Sequence, residues 1–190
     1  ILLTIVPGLI WLGAVYARES VITPHCVQAP QTCTAQSVPV MDRPAIGLNV
    51  PGADELSFQT QNLSGILAIA TPPLLHASLA VAGRLSPMAA LAAAGTDLVL
   101  FAQTAFWNGM INEGARLVVQ RPRPFVYANP QQGYGSSNYT SFYSGHTSFA
   151  ATSTLFILLT FIGRGVPLWG LGLAGAVGYG LTSLTGTYRI

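Results

Sequence analysis

The stretch YTSFYSGHTSFAATSTLFILLTFIG, residues 139–163, begins polar and aromatic and turns into an apolar run. A helix needs about 20 apolar residues to cross the hydrocarbon core of a bilayer, and the second part of this stretch meets that need. Working outward, residues 1–16, 63–83, 88–110 and 166–187 reach or approach the same length. Composition agrees: 51% of the chain is hydrophobic and 7% charged, where a soluble domain carries about 25% charged residues. The reading is an all-α, polytopic transmembrane helix bundle with five spans, treated as a single membrane-embedded domain over residues 1–190. The chain opens on Ile1 inside an apolar stretch without an initiator methionine and stops abruptly at TGTYRI, so we expect the domain to be incomplete at both ends.

Short connectors, GRLSP (83–87) and GRGVP (163–167), join the second span to the third and the fourth to the fifth. Such short links make antiparallel neighbours. The loop 17–62, the loop 111–144 and whatever follows 187 are therefore expected on one membrane face. Arg84 and Arg164 mark the opposite face, whereas Arg18, Arg43, Arg116, Arg121, Arg123 and Arg189 mark the loop face. Taken literally, the positive-inside rule would make the loop face cytoplasmic. Two cysteines argue the reverse, because Cys26 and Cys33 lie in TPHCVQAPQTC, outside every span, and a bridge there requires an oxidising compartment. We therefore expect an integral, multi-pass membrane protein with the loops on the extracytoplasmic face. A formal net charge of +2, all of it arginine on the basic side, is too slight to point to nucleic acid. The fifth span carries Gly172, Ala176 and Gly180 at four-residue intervals, a stripe that suits close helix packing in lipid.

The chemistry lies in 111–144 and the start of the fourth span. Arg116 stands seven residues before Arg123 in RLVVQRPRP, and prolines 122 and 124 keep Arg123 on stiff, extended backbone. Two guanidiniums at one membrane surface suit a polyoxygen anion such as phosphate; they equally suit snorkelling to lipid headgroups. Ser144 is placed to cap the fourth span, Gly145 to let a ligand approach the backbone, and the unpaired N–H groups of the first turn to receive an anion. His146 then stands beside that anion as a proton donor. Asn108, Asn112 and Glu113 share a helical face with Arg116, so Glu113 can pair with Arg116 or orient it. Asp97, within the third span, is either a functional carboxylate or one hydrogen-bonded between helices. His25 and His76 have no metal-ligand spacing; they read as a loop residue and a helix-end residue.

These motifs resemble those of the type 2 phosphatidic acid phosphatase (PAP2) superfamily: Lys-x6-Arg-Pro, Pro-Ser-Gly-His and Ser-Arg-x5-His-x3-Asp. Arg116 to Pro124 is similar to the first, with arginine in the lysine position. Tyr143-Ser144-Gly145-His146 is similar to the second, with tyrosine for proline. Tyr188-Arg189 is similar to the start of the third. The resemblance implies a six-helix core whose last span lies beyond Ile190. It implies a membrane phosphatase that hydrolyses a lipid phosphate or diphosphate through a phosphohistidine, with no metal and no cofactor. In that scheme Arg116, Arg123, Arg189, Ser144 and the Gly145 amide bind the phosphoryl group, and His146 protonates the leaving oxygen. The nucleophilic histidine and its aspartate would both fall past Ile190. Residues 1–190 thus lack the nucleophile. The alternative is a catalytically inactive structural or lipid-binding subunit of a larger membrane complex.

Overall fold

A computed structural model describes residues 2–38, 40–46 and 50–188. Those residues form seven α-helices: α1 (Leu2–Val21), α2 (His25–Gln28), α3 (Ala53–Val81), α4 (Pro87–Val119), α5 (Pro124–Ala128), α6 (Gly145–Gly163) and α7 (Leu168–Thr187). Short 3-10 turns fill much of the two loops, and there is no strand among the described residues.

The local sequence accounts for the helix ends. Ser86 caps α4 by accepting the Ala89 N–H at 3.3 Å, with Pro87 in the first turn. Gly83 and Gly165, at φ +70° and +68°, turn the chain out of α3 and α6 into their short connectors. α4 ends differently. Gln120 takes φ 43° at its C-cap, ahead of Pro122, and its amide accepts from the Thr23 N–H (3.2 Å) and donates to the Val21 carbonyl (3.3 Å). A left-handed non-glycine residue is thereby held by bonds to the end of α1.

Helices α3, α4, α6 and α7 form the bundle, and α1 packs on α4 from outside. The helices run beyond their apolar windows, so that α1 continues to Val21, α3 begins at Ala53 and α4 extends to Val119. Loop 17–62 is accordingly helical at both ends, and Arg116 lies on α4 instead of in the loop proper. Among the described residues, four helical segments are long and apolar enough to span a membrane, those beginning at Leu2, Ala53, Pro87 and Gly145. In α7, as long as α1, glycines dilute the hydropathy. The chain is an integral-membrane helical bundle.

Close packing of α7 uses another face than the one expected. Gly172 and Gly180 have nothing near their Cα hydrogens, whereas a Cβ on Gly178 would run into the Thr154 side chain of α6. Gly170 and Gly178 are buried, Gly172 is exposed. Two four-residue stripes compete in this helix, and spacing alone cannot say which meets a neighbour.

At the connector end, Asp97 joins three helices. His76 Nε2 on α3 and Arg164 Nη2 beyond α6 each lie 2.7 Å from a different Asp97 oxygen. Asp97 is thus the interhelical carboxylate of the two readings above. At the other end, the Cys26–Cys33 disulfide is formed. It packs with Ile22, Val126 and Tyr139 into a small core outside the bundle. Burial pushes the Tyr139 phenol pKa up, against the pull of the Cys26 and Val27 amides.

Asp97→Ala leaves His76 and Arg164 facing no carboxylate. It should lower equilibrium stability in detergent by about 3 kcal/mol, the low end for breaking a buried pair because Arg164 is partly exposed. Replacing both Cys26 and Cys33 by serine should cost about 2.5 kcal/mol of local stability, the loop-closure value for so short a ring. That loss is read as faster amide exchange across residues 122–142 with the bundle unchanged.

Candidate functional site

Five segments converge at the loop end of the bundle: the end of α1, the start of α3, the end of α4, the segment 121–144 with the start of α6, and the end of α7. The helices alternate in direction, so Arg18, Asp54, Arg116, Ser144 and Tyr188 all arrive there. The Asp97 cluster lies at the far end of α6, about 28 Å away by helix length.

Arg123 stands at φ −69°, ψ 152°, as N-cap of α5, between the two prolines. Two hydrogen bonds tie its segment to the run before α6: the Arg123 N–H donates to the Asn138 carbonyl (2.7 Å) and the Ser141 N–H to the Arg121 carbonyl (3.1 Å). Asn112 Nδ2 donates to the Tyr143 carbonyl (3.0 Å), and Asn108 Nδ2 to Ser148 Oγ at 3.4 Å. The polar face of α4 is therefore stitched to the N-terminus of α6.

Ser144 is the N-cap of α6. Its Oγ accepts from the Thr147 N–H (3.3 Å) and the Thr147 hydroxyl (3.0 Å). A hydroxyl has two acceptor sites and one proton, so both lone pairs are engaged and the proton remains for a third partner. Arg116, Arg123, Ser144, Thr140, Ser141, Asp54 and Tyr188 line one cavity of about 270 Å³.

Gly145 meets a steric need that the sequence did not show. A Cβ there would sit 2.6 Å from Arg116 Nη2 and 3.2 Å from its Cζ. The glycine makes room for a guanidinium of the protein itself, laid across the first turn of α6. Arg116 is also held from its own helix, with Nη1 2.8 Å from Glu113 Oε1. Glu113 is 3% exposed, and its other oxygen accepts from Arg18 Nη2 (2.6 Å) and Nε (3.1 Å). Arg123 is more loosely paired, 3.8 Å from the exposed Asp54, a pair of the kind that contributes little.

His146 lines a second, larger cavity of about 700 Å³ together with Gly145, Arg116, Arg123 and Arg18. That cavity continues past Asn108 and Asn112 to Trp11, Phe106 and Phe149. His146 Nδ1 lies 3.4 Å from Ser57 Oγ, and Ser57 donates to the Thr185 carbonyl at 3.2 Å. With the serine proton used there, the hydrogen-bond network assigns a proton to Nδ1 of the imidazole.

The structure thus brings Arg116, Arg123, Ser144, Gly145, His146 and Glu113 to one end of the bundle, and Arg189 lies outside the described residues. Cys26 and Cys33 sit in the cap above, with His25 against Tyr139 at a ring-centroid distance of 4.8 Å. Sequence reasoning missed Arg18, which it counted only toward topology, and Ser57. Neither carries a local signal; each is brought in by helix packing.

Gly145→Ala should displace the Arg116 guanidinium without unfolding the bundle. The expected result is a loss of affinity for inorganic phosphate of at least about tenfold, the scale of one charge-assisted hydrogen bond, measured by calorimetry.

A family model described as the PAP2 superfamily matches residues 97–190. No curated protein and no solved structure matches the chain.

Proposed function

Because residues 97–190 belong to the PAP2 superfamily, we propose that this chain is the membrane domain of a phosphatase acting on a lipid phosphate or diphosphate. The observation that carries the reading is the shared cavity: Arg116 at the end of α4, Arg123 at the start of α5 and Ser144 at the start of α6 line one space beside the helix start that holds His146. Phosphoryl transfer needs charge stabilised on the equatorial oxygens and a proton supplied to the leaving oxygen. The two guanidiniums and the Ser144 O–H supply the first. His146 supplies the second. With Nδ1 occupied by Ser57, the proton given to a leaving alkoxide comes from Nε2 of the imidazolium.

The attack on phosphorus belongs to the third-motif histidine of the family, oriented by its aspartate, and gives a phosphohistidine that water hydrolyses. The arginines do the neutralising that a metal does elsewhere, so no cofactor enters the scheme. A lipid substrate is supported by the larger cavity. It runs from the arginines down to Trp11, Phe106 and Phe149, and α1 and α3, which both pack on α4, barely meet each other above it. The disulfide favours an extracytoplasmic position for this end of the bundle.

Full-length protein in detergent should release inorganic phosphate from a phosphatidic acid or polyprenyl diphosphate without added metal. His146→Ala should slow turnover by about 10²–10⁴-fold, the usual worth of a general acid. Undiminished turnover in that variant removes His146 from the mechanism. Phosphate binding with no phosphate release from any such lipid would favour the non-catalytic, lipid-binding subunit.

A further inference from the structure

Arg18 is a cation that the phosphate-binding scheme does not use, and α1, which carries it, lies outside residues 97–190. It is nonetheless coupled to the site. Glu113 has two carboxylate oxygens, one held by Arg116 Nη1 at 2.8 Å and the other by Arg18 Nη2 at 2.6 Å and Nε at 3.1 Å. The carboxylate is buried, while the Arg18 side chain is 22% exposed and that of Arg116 12%. Two guanidiniums thus share one carboxylate, and the trio keeps a net charge of one positive unit.

Removing Arg18 changes what Arg116 can do. A buried carboxylate left with a single guanidinium takes it in a forked, two-oxygen pair. Arg116 would then be drawn along α4 toward Glu113 and away from Gly145, and its charge would be cancelled where the anion is to bind. We infer that Arg18 is a positioning residue: by engaging one oxygen of Glu113 it keeps Arg116 both in place over α6 and electrostatically available to a phosphoryl group. The inference rests on the phosphate-site reading above but not on turnover. It concerns an arginine that acts on the phosphoryl group through a carboxylate and does not line the smaller cavity shared by Arg116, Arg123 and Ser144.

The test is a double-mutant cycle in the full-length protein, read as affinity for inorganic phosphate by calorimetry and as KM against kcat for a soluble phosphate ester. Arg18→Gln should weaken phosphate binding and raise KM by about tenfold, the scale of one charged hydrogen bond, with kcat nearly unchanged. Adding Glu113→Gln to it removes the carboxylate that captures Arg116, and should return most of the lost affinity. Arg18→Lys, which keeps the charge without the fork, should fall between wild type and Arg18→Gln. The helix should stay docked, because Trp11 packs against Gly109 and Phe106, and Trp107 Nε1 donates to the Leu3 carbonyl at 3.0 Å.

Unchanged phosphate affinity in Arg18→Gln overturns the inference. So does a defect that Glu113→Gln fails to relieve, which would put Arg18 on the ligand itself. Because the affinity is read without turnover, a wild type that binds phosphate but hydrolyses nothing sinks the phosphatase reading alone and leaves the cycle decisive. A wild type that binds no phosphate sinks both.

Discussion

A guanidinium lies across the positive end of a helix dipole at Gly145. Taken alone this is an unfavourable arrangement, since the first-turn N–H groups of α6 carry the same sign as Arg116. The rest of the loop end of the bundle can be understood as what holds that contact in place. Glycine removes the steric bar, Glu113 offsets part of the charge from the α4 side, and Asn112 fixes the spacing by bonding the Tyr143 carbonyl. What is left over is a net positive charge and an Arg116 Nε that is buried and has no partner. An oxyanion is the species that relieves both at once.

The departures from the family motifs fit this arrangement. Arginine in place of lysine at 116 gives a planar group that can lie against a helix turn and still bond Glu113 with one edge, which an ammonium on a flexible stem does less well. Tyrosine at 143 contributes its main-chain carbonyl, a role that any residue type can fill. The sequence differences at these two positions are therefore compatible with the contacts of Arg116 and of the Tyr143 carbonyl. The bundle is pinned at its two ends by polar clusters of like design: a carboxylate shared between two arginines at one end, and Asp97 between a histidine and an arginine at the other.

Much of this was legible in the sequence because it depends on local rules. The helix positions followed from apolar run length, the α6 cap from a serine ahead of an apolar run, and the extended Arg123 from its flanking prolines. The Glu113–Arg116 pair followed from helical spacing. Other features depended on contacts between segments distant in sequence and were not legible. The α7 packing face was misassigned because residues 170, 174, 178 and 172, 176, 180 are equally small, and only the presence of Thr154 opposite Gly178 decides between them. That Gly145 also makes room for a side chain from α4 could not be read from its place in the chain. Arg18 was invisible as a site residue because its neighbours Glu19 and Ser20 form no motif with it; Glu113, ninety-five positions away, is what marks it.

The disulfide-centred core sits apart from the bundle, and it touches Val126 and Tyr139 on the segment that carries Arg123. The bundle helices, with their own apolar faces, can associate as soon as they enter the bilayer. The platform above them has only a handful of buried side chains and cannot set firmly until its two thiols are joined. The protein is thus expected to mature in two stages: a scaffold that exists on membrane insertion, and a cap that sets only after its two thiols have met an oxidant.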